Sequence, residues 1–232
     1  MLPCLHPGVE AQPDYVQQRR GMVAEVRAMV RDTSTYTKMQ RLAAPVLVAI
    51  DSVPRHEFVP QRLWGVAYEN RPLPIGEGQT ISQPYVVALM TDIALVDANS
   101  VVLEVGTGSG YQGAVLAEIA QHVYSIEIIE SLGRRAASTL ARLDYENVTV
   151  RIGDGYHGWP EKAPFDVIVV TAAPDQIPQP LIDQLKPGGR LVIPVGSQLG
   201  SQVLRVLNKD DQGRISIQDV LPVGFVPFTR AR

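Results

Sequence analysis

The feature that most constrains this chain is a series of short apolar runs from residue 100 onward, each closed by a glycine or an acid. Val101-Val102-Leu103-Glu104-Val105 stops at Gly106, and Val123-Tyr124-Ser125-Ile126-Glu127 follows. Val148-Thr149-Val150-Arg151-Ile152, Val167-Ile168-Val169-Val170 and Leu191-Val192-Ile193-Pro194-Val195 complete the series. Between them lie helical patterns. Residues 111–120 carry Ala114, Ala117 and Ala120, small enough to lie close to a sheet, and Leu132, Ala136, Leu140 and Leu143 form one apolar stripe. Continuously apolar strands separated by helices predict a parallel sheet covered on both faces. In the last forty or so residues, Val203-Leu204-Arg205-Val206-Leu207 and a turn at Asp210-Asp211-Gln212-Gly213 predict antiparallel strands added at one edge. The expected fold class is α/β, a doubly wound, mostly parallel, Rossmann-like sheet with an N-terminal helical appendage.

That appendage is read from a different pattern. Residues 1 to about 13 hold three prolines and a glycine without periodicity and predict a loose arm. Met22, Val26, Met29 and Val30 share one helical face, as do Leu42, Val46, Ala49 and Ile50. Residues 51–81 read as irregular, and about thirty residues of loop in a compact domain are uncommon without a binding role. The next helix is expected to start near Ser82 as N-cap, with Pro84 in its first turn. The expected division is therefore 1–37 (arm and helix), 38–99 (helical segment and binding loop) and 100–232 (sheet core), with 38–232 forming one compact domain.

Composition narrows the function classes. The 232 residues carry 21 Lys and Arg against 24 Asp and Glu, a net charge of −3, which argues against a broad nucleic-acid surface. The single Cys4 excludes an internal disulfide framework and a cysteine-based zinc site. No apolar run approaches the roughly 18 residues of a membrane helix, and the N-terminus does not read as a signal peptide. A cytoplasmic protein, off the membrane, is expected.

The chemistry concentrates where the first strand turns into a helix, at Glu104-Val105-Gly106-Thr107-Gly108-Ser109-Gly110. Glycines there permit a tight turn and close backbone approach of a ligand at the topological switch point. Two frames are open. Gly108, Gly110 and Gly113 satisfy the dinucleotide G-x-G-x-x-G, but start two residues after the strand ends. Gly106, Gly108 and Gly110 abut the strand as G-x-G-x-G, a form suited to S-adenosylmethionine, which has no pyrophosphate. Glu127 ends the second strand 21 residues after Gly106, where a carboxylate can accept both ribose hydroxyls. Asp154 follows the third strand in Gly153-Asp154-Gly155, where an acid can accept from an adenine amine. Three acids at successive strand ends favour an adenosyl site over a plain structural turn, and a mildly negative cleft favours a cationic sulfonium.

Other chemistries lack their residues. There is no H-E-x-x-H, the four histidines (His6, His56, His122, His157) are scattered, and no metal site is expected. G-x-S-x-G and the P-loop are also missing. A general base is not needed if the nucleophile is a carboxylate, which is already ionised at neutral pH.

The loop Pro72-Leu73-Pro74-Ile75-Gly76-x-Gly78-Gln79-Thr80-Ile81-Ser82-Gln83-Pro84-Tyr85, followed by Met90-Thr91, resembles the signature loop of protein-L-isoaspartate (D-aspartate) O-methyltransferases. The downstream blocks are similar too: Val102 to Gln112, Gly153-Asp154-Gly155 with Gly158-Trp159, Ala163-Pro164-Phe165-Asp166, and Val170-Thr171-Ala172-Ala173-Pro174. Gly188 to Gly196 and the tail Phe225-Val226-Pro227-Phe228-Thr229 extend the resemblance, which runs from about residue 38 to 229. It implies a methyltransferase fold using S-adenosylmethionine, with S-adenosylhomocysteine as product and no metal. It implies that Ser82 hydrogen-bonds the isoaspartyl α-carboxylate, and that Gln79, Thr80 and Ile81 line the joint between substrate and cofactor. Gly106, Gly108, Glu127, Asp154 and Gly155 would hold the adenosyl part with Glu104 nearby, Val226 would offer backbone groups to the peptide, and Thr229 would close over the cofactor. The implied product is a methyl ester that collapses to a succinimide and hydrolyses in part to aspartate, so that damaged proteins are repaired. Isoaspartyl peptides and proteins are the implied partners of a monomer. Gly113 departs from the family, which usually has a larger small residue there.

Three alternatives stay open on the residues: a methyltransferase of the same fold acting on a small molecule or a biosynthetic peptide, a nicotinamide oxidoreductase using the later glycine frame, and a non-catalytic binding protein.

Overall fold

The computed structural model describes residues 14–231, and the expected arm lies outside them. The chain enters helix α1 (Tyr15–Asp32), where Asp14 accepts from Gln17 N (3.0 Å) as N-cap. After α2 (Ser34–Thr37) comes α3 (Ala44–Ser52). Met22, Val26 and Val30 of α1 and Val46, Ala49 and Ile50 of α3 are buried, the faces that the apolar spacing marks.

Residues 51–81 differ from expectation. They hold two short 3-10 turns (Arg55–Phe58 and Gln61–Val66) and a hairpin of β1 (Leu73–Gly76) and β2 (Gln79–Ile81). Elements of three to six residues are too short to establish a period, which is why the stretch reads as loop. Helix α4 (Pro84–Ile93) starts later than expected, with Gln83 rather than Ser82 at the N-cap position. Asn70 does the capping instead: its Oδ1 accepts from Tyr85 N (3.0 Å), while its carbonyl accepts from Gln83 Nε2 (2.9 Å).

The sheet strands are β3 (Val101–Val105), β4 (His122–Glu127), β5 (Val148–Ile152), β6 (Phe165–Val170), β7 (Leu185–Val195), β8 (Gln202–Lys209) and β9 (Ile215–Val223). Their spatial order is β5-β4-β3-β6-β7-β8-β9, parallel from β5 to β7 and antiparallel at β8 and β9. This confirms the doubly wound sheet with antiparallel edge strands. Helix α5 (Tyr111–Ala117) follows β3 and is three residues shorter than the expected 111–120, α6 (Glu130–Arg142) follows β4, and α7 (Gln179–Asp183) precedes β7. Leu143 falls at the C-cap of α6. β5 is only partly buried because it forms a sheet edge, so coverage on both faces holds for the inner strands alone.

Side-chain alternation divides the core. Val102 packs with α1, α3, α4 and α5 on one face of the sheet, while Leu103 and Val105 pack with Trp159, Leu181 and Leu185 on the other. The topology thus brings the carboxyl ends of β3, β4 and β6 side by side. β3 pairs with both of the others and the chain leaves it in one direction only, so a crevice opens at that point.

Candidate active site at the carboxyl edge of the sheet

A cleft lies at this switch point, the place where doubly wound sheets bind cofactors. Its floor is the turn after β3, where Gly106 has φ +100. A Cβ there would stand 2.5 Å from Thr171 Oγ1, a position open to glycine alone. Thr171 follows β6, and its hydroxyl donates to Gly106 O (2.6 Å). Gly106, Gly108 and Gly110 all have positive φ, whereas Gly113 lies inside α5. The turn therefore uses the frame that abuts the strand. Gly113 has a separate reason: a Cβ at that position would come within 2.8 Å of Glu104 Oε2.

Glu127 is the acid of the cleft. Its Oε2 accepts from Gly108 N (2.7 Å) and its Oε1 from Ile129 N (2.9 Å), which fixes the carboxylate at the end of β4. Each oxygen keeps a further acceptor site for a ligand hydroxyl. Gly155 packs so closely on Val105 that a Cβ would overlap Val105 Cγ1, so the backbone at the cleft wall sits where only glycine fits.

Two sequence-derived acids sit elsewhere. Glu104 is fully buried and does not line the cleft. The strand alternation that sends Val105 to one face sends Glu104 to the other, beneath α5. There Ser125 Oγ donates to Glu104 Oε2 (2.5 Å) and also bonds Thr107 Oγ1 (2.5 Å). The carboxyl thus props the glycine turn from below. Burial, with the nearby Glu127 charge adding to it against the Ser125 bond, pushes its pKa up to about 8. Asp154 also lies outside the lining residues. Its Oδ1 accepts from Tyr156 N (3.0 Å), and its Oδ2 accepts from Arg230 Nε (2.9 Å) and Ala231 N (3.2 Å).

The remaining sequence-derived residues come together. Gln79, Thr80, Ile81, Ser82, Gly106, Gly108, Glu127, Gly155, Val226 and Thr229 all line the cleft. The hairpin that carries Gln79–Ser82 over the glycine turn is pinned to α6. Arg135 Nη2 donates to Ile75 O (2.9 Å), and Ser131 Oγ to Glu77 Oε1 (3.0 Å). Val226 is anchored through its carbonyl, which accepts from Ala173 N (2.9 Å). Sequence reasoning assigned no role to Thr107, Thr171 or Phe228, which also line the cleft. The signal for Thr171 is the register: Val105 faces Val170, so the next residues, Gly106 and Thr171, meet.

A second cleft opens on the far side of Ser82. It shares Thr80, Ser82, Thr171 and Val226 with the first, and its walls include Met29, Val86, Leu221 and Phe225, with no charged side chain. Ser82 stands at the joint of the two.

Residues 27–232 match the sequence family described as Protein-L-isoaspartate(D-aspartate) O-methyltransferase. The chain is 58% identical over 219 residues to Protein-L-isoaspartate O-methyltransferase 2 of Syntrophobacter fumaroxidans, covering 94% of this chain and 89% of that one. The chain belongs to the protein-L-isoaspartate(D-aspartate) O-methyltransferase family. A Polaromonas protein of the same printed name is 57% identical over 211 residues, 91% of this chain and all of the relative. Among solved structures, a protein-L-isoaspartate O-methyltransferase superposes with a TM-score of 0.78 at 29% identity, covering 90% of this chain; the chain spans 65% of that one. A Plasmodium falciparum structure in complex with S-adenosyl-L-homocysteine shares the fold, with a TM-score of 0.76 at 22% identity over 95% of this chain and 100% of that one.

The residues of the first cleft fit S-adenosylmethionine. The glycine cradle at Gly106 admits close backbone approach, and Glu127 offers a fixed carboxylate beside it. Among the described residues no group of three or more His, Cys, Asp or Glu side chains could hold a metal ion, and no helix is long and apolar enough to cross a membrane.

Proposed function

We propose that this chain methylates the α-carboxylate of L-isoaspartyl, and of D-aspartyl, residues in damaged peptides and proteins, starting their repair through a succinimide. The observation that carries the reading is Ser82 at the boundary of two clefts, one fitted to an adenosyl group and the other open, uncharged and lined by the chain's C-terminal segment. When bound, S-adenosylmethionine supplies an electrophilic methyl group and leaves as the neutral thioether S-adenosylhomocysteine. Gly106, Gly108, Glu127 and Gly155 would hold its adenosyl part, and Thr229 would close over it. Gln79, Thr80 and Ile81 wall the joint.

No base is required, because the accepting carboxylate is ionised at neutral pH. The task of the protein is alignment and partial dehydration of that carboxylate. Ser82 donates one hydrogen bond to it, and the apolar walls of the second cleft exclude water around it. Asp154 and Glu104 support this reading at one remove, the first through the C-terminal segment and the second beneath the glycine turn. A monomer is the form we assign, and the cytoplasm the compartment.

Incubation with labelled S-adenosylmethionine should place a base-labile methyl ester on an isoaspartyl peptide and leave its aspartyl isomer unlabelled; equal labelling of the two rejects the proposal. Ser82→Ala removes one hydrogen bond to a charged group, worth roughly 1.5–3 kcal/mol. Turnover of the isoaspartyl peptide is therefore expected to fall about 10- to 100-fold, while S-adenosylhomocysteine affinity stays within about two-fold. A loss concentrated in cofactor affinity would contradict the role given to Ser82.

A further inference from the structure

The C-terminal segment crosses the mouth of the cofactor cleft and is fastened on both sides. On one side Ala173 N donates to Val226 O (2.9 Å) and Phe228 N to Ala173 O (3.1 Å), a short parallel bridge beside the end of β6. On the other side Arg230 and Ala231 converge on one acid. Arg230 Nε donates to Asp154 Oδ2 (2.9 Å), and Ala231 N donates to the same oxygen (3.2 Å). The Arg230 guanidinium also lies over the Tyr156 ring, 3.5 Å from its centroid. Phe228 and Thr229, between the two fastenings, line the cleft.

We infer that Arg230 is a positioning residue that clasps the C-terminal segment over bound S-adenosylmethionine, slowing release of the adenosyl cofactor. The clasp is more than a surface ion pair. The Asp154 side chain is only 11% exposed, against 44% for Arg230, so the acceptor is largely withdrawn from water and screened less than an exposed pair. Its other oxygen is held by Tyr156 N, which leaves the carboxylate one orientation toward the segment. The guanidinium plane fits both the carboxylate and the aromatic face, a geometry that an ammonium does not supply. Asp154 and Tyr156 flank Gly155, whose backbone is part of the cleft wall. The clasp therefore ties the segment to the wall through the residues on either side of it.

This inference rests on the cofactor assignment proposed above, and its test separates the two. Calorimetry with S-adenosylhomocysteine is run on the full chain and on Arg230→Ala and Arg230→Lys. Arg230→Ala is expected to weaken binding about 10-fold, to raise KM for S-adenosylmethionine by a similar factor, and to leave KM for the isoaspartyl peptide within about two-fold. Arg230→Lys should recover only part of the affinity. The original protein should lose affinity with rising salt more steeply than Arg230→Ala. Thermal melts within about 2 °C of one another would exclude a general structural effect. Arg230→Ala binding within two-fold of the original protein overturns the clasp. Absence of binding to the original protein overturns the cofactor assignment, and the clasp with it.

Discussion

Gly106→Ala is expected to weaken S-adenosylhomocysteine binding at least about 100-fold while β3 and its neighbours stay folded. Alanine at φ +100 carries backbone strain of roughly 1–3 kcal/mol. Its Cβ would also stand 2.5 Å from Thr171 Oγ1, which must turn away and give up its 2.6 Å bond to Gly106 O, at about 1 kcal/mol more. The sheet register fixes β3 and β6, so the turn can relieve the clash only by shifting into the cleft. Calorimetry reads the affinity and a thermal melt reads the fold. Two variants make the cause specific. Gly106→Ala combined with Thr171→Ala should recover part of the binding, because the overlapping hydroxyl is gone. Gly65→Ala, in the second 3-10 turn with open space around it and no positive φ, should stay within about three-fold of the original protein. Near-normal binding by Gly106→Ala would mean that the glycine turn does not cradle the cofactor.

Glu104→Gln is expected to remove a loss of stability that grows as pH rises from about 4.5 to about 8. The Glu104 carboxyl titrates near 4.5 when unfolded and is pushed up to about 8 in the fold, chiefly by burial. A raised carboxyl pKa means that the folded state holds a proton the unfolded state has released. The stability associated with the neutral carboxyl is therefore complete below about pH 4.5 and is lost progressively as pH rises to about 8. At 1.36 kcal/mol per pKa unit the ceiling on that loss is about 5 kcal/mol. Glutamine keeps an oxygen toward Ser125 and cannot ionise. The variant should thus melt close to the original protein near pH 5, and roughly 5–10 °C above it near pH 8. Parallel melting curves across that range would show that Glu104 is not a buried neutral acid. Glu104→Gln should also leave S-adenosylhomocysteine affinity at pH 6 nearly intact, since its carboxyl lies beneath the turn and does not face the ligand.

Much of this architecture is legible in the residues. The inner strands are apolar on both faces because both faces are covered, so their runs end where the chain turns toward the cleft. Glu127 is legible for the same reason: a charged residue at the end of an apolar strand has to face the crevice or water. The place of Ser82 in the lining of both clefts is legible only through the resemblance of its loop, because three-residue strands carry no measurable period. Its apparent role as a helix cap was misleading for a physical reason, since Asn70 supplies the cap from 15 residues upstream of Tyr85. Glu104 lies beneath the turn because strand parity, not distance along the chain from the glycines, decides the face on which a side chain lies. The partner of Asp154 is Arg230, 76 residues later, and no local pattern records such a pairing. Thr171 depends in the same way on which strand becomes the neighbour of β3.

Gly113 lies inside α5, against the buried Glu104 carboxyl. Helix propensity alone makes glycine inside α5 unfavourable by about 1 kcal/mol. Its close approach to the Glu104 carboxyl makes alanine the worse fit in this chain. The buried acid and the missing side chain are one packing solution.

The position of the thioether sulfur decides the role of Ser82, and a crystal structure with S-adenosylhomocysteine measures that position directly. The expected result has the adenosyl group against Glu127 and Gly106, beneath Thr229, with the sulfur directed toward Ser82 at the opening of the uncharged cleft. Density for the product outside the β3–β4–β6 crevice, or a sulfur facing away from Ser82, would contradict it.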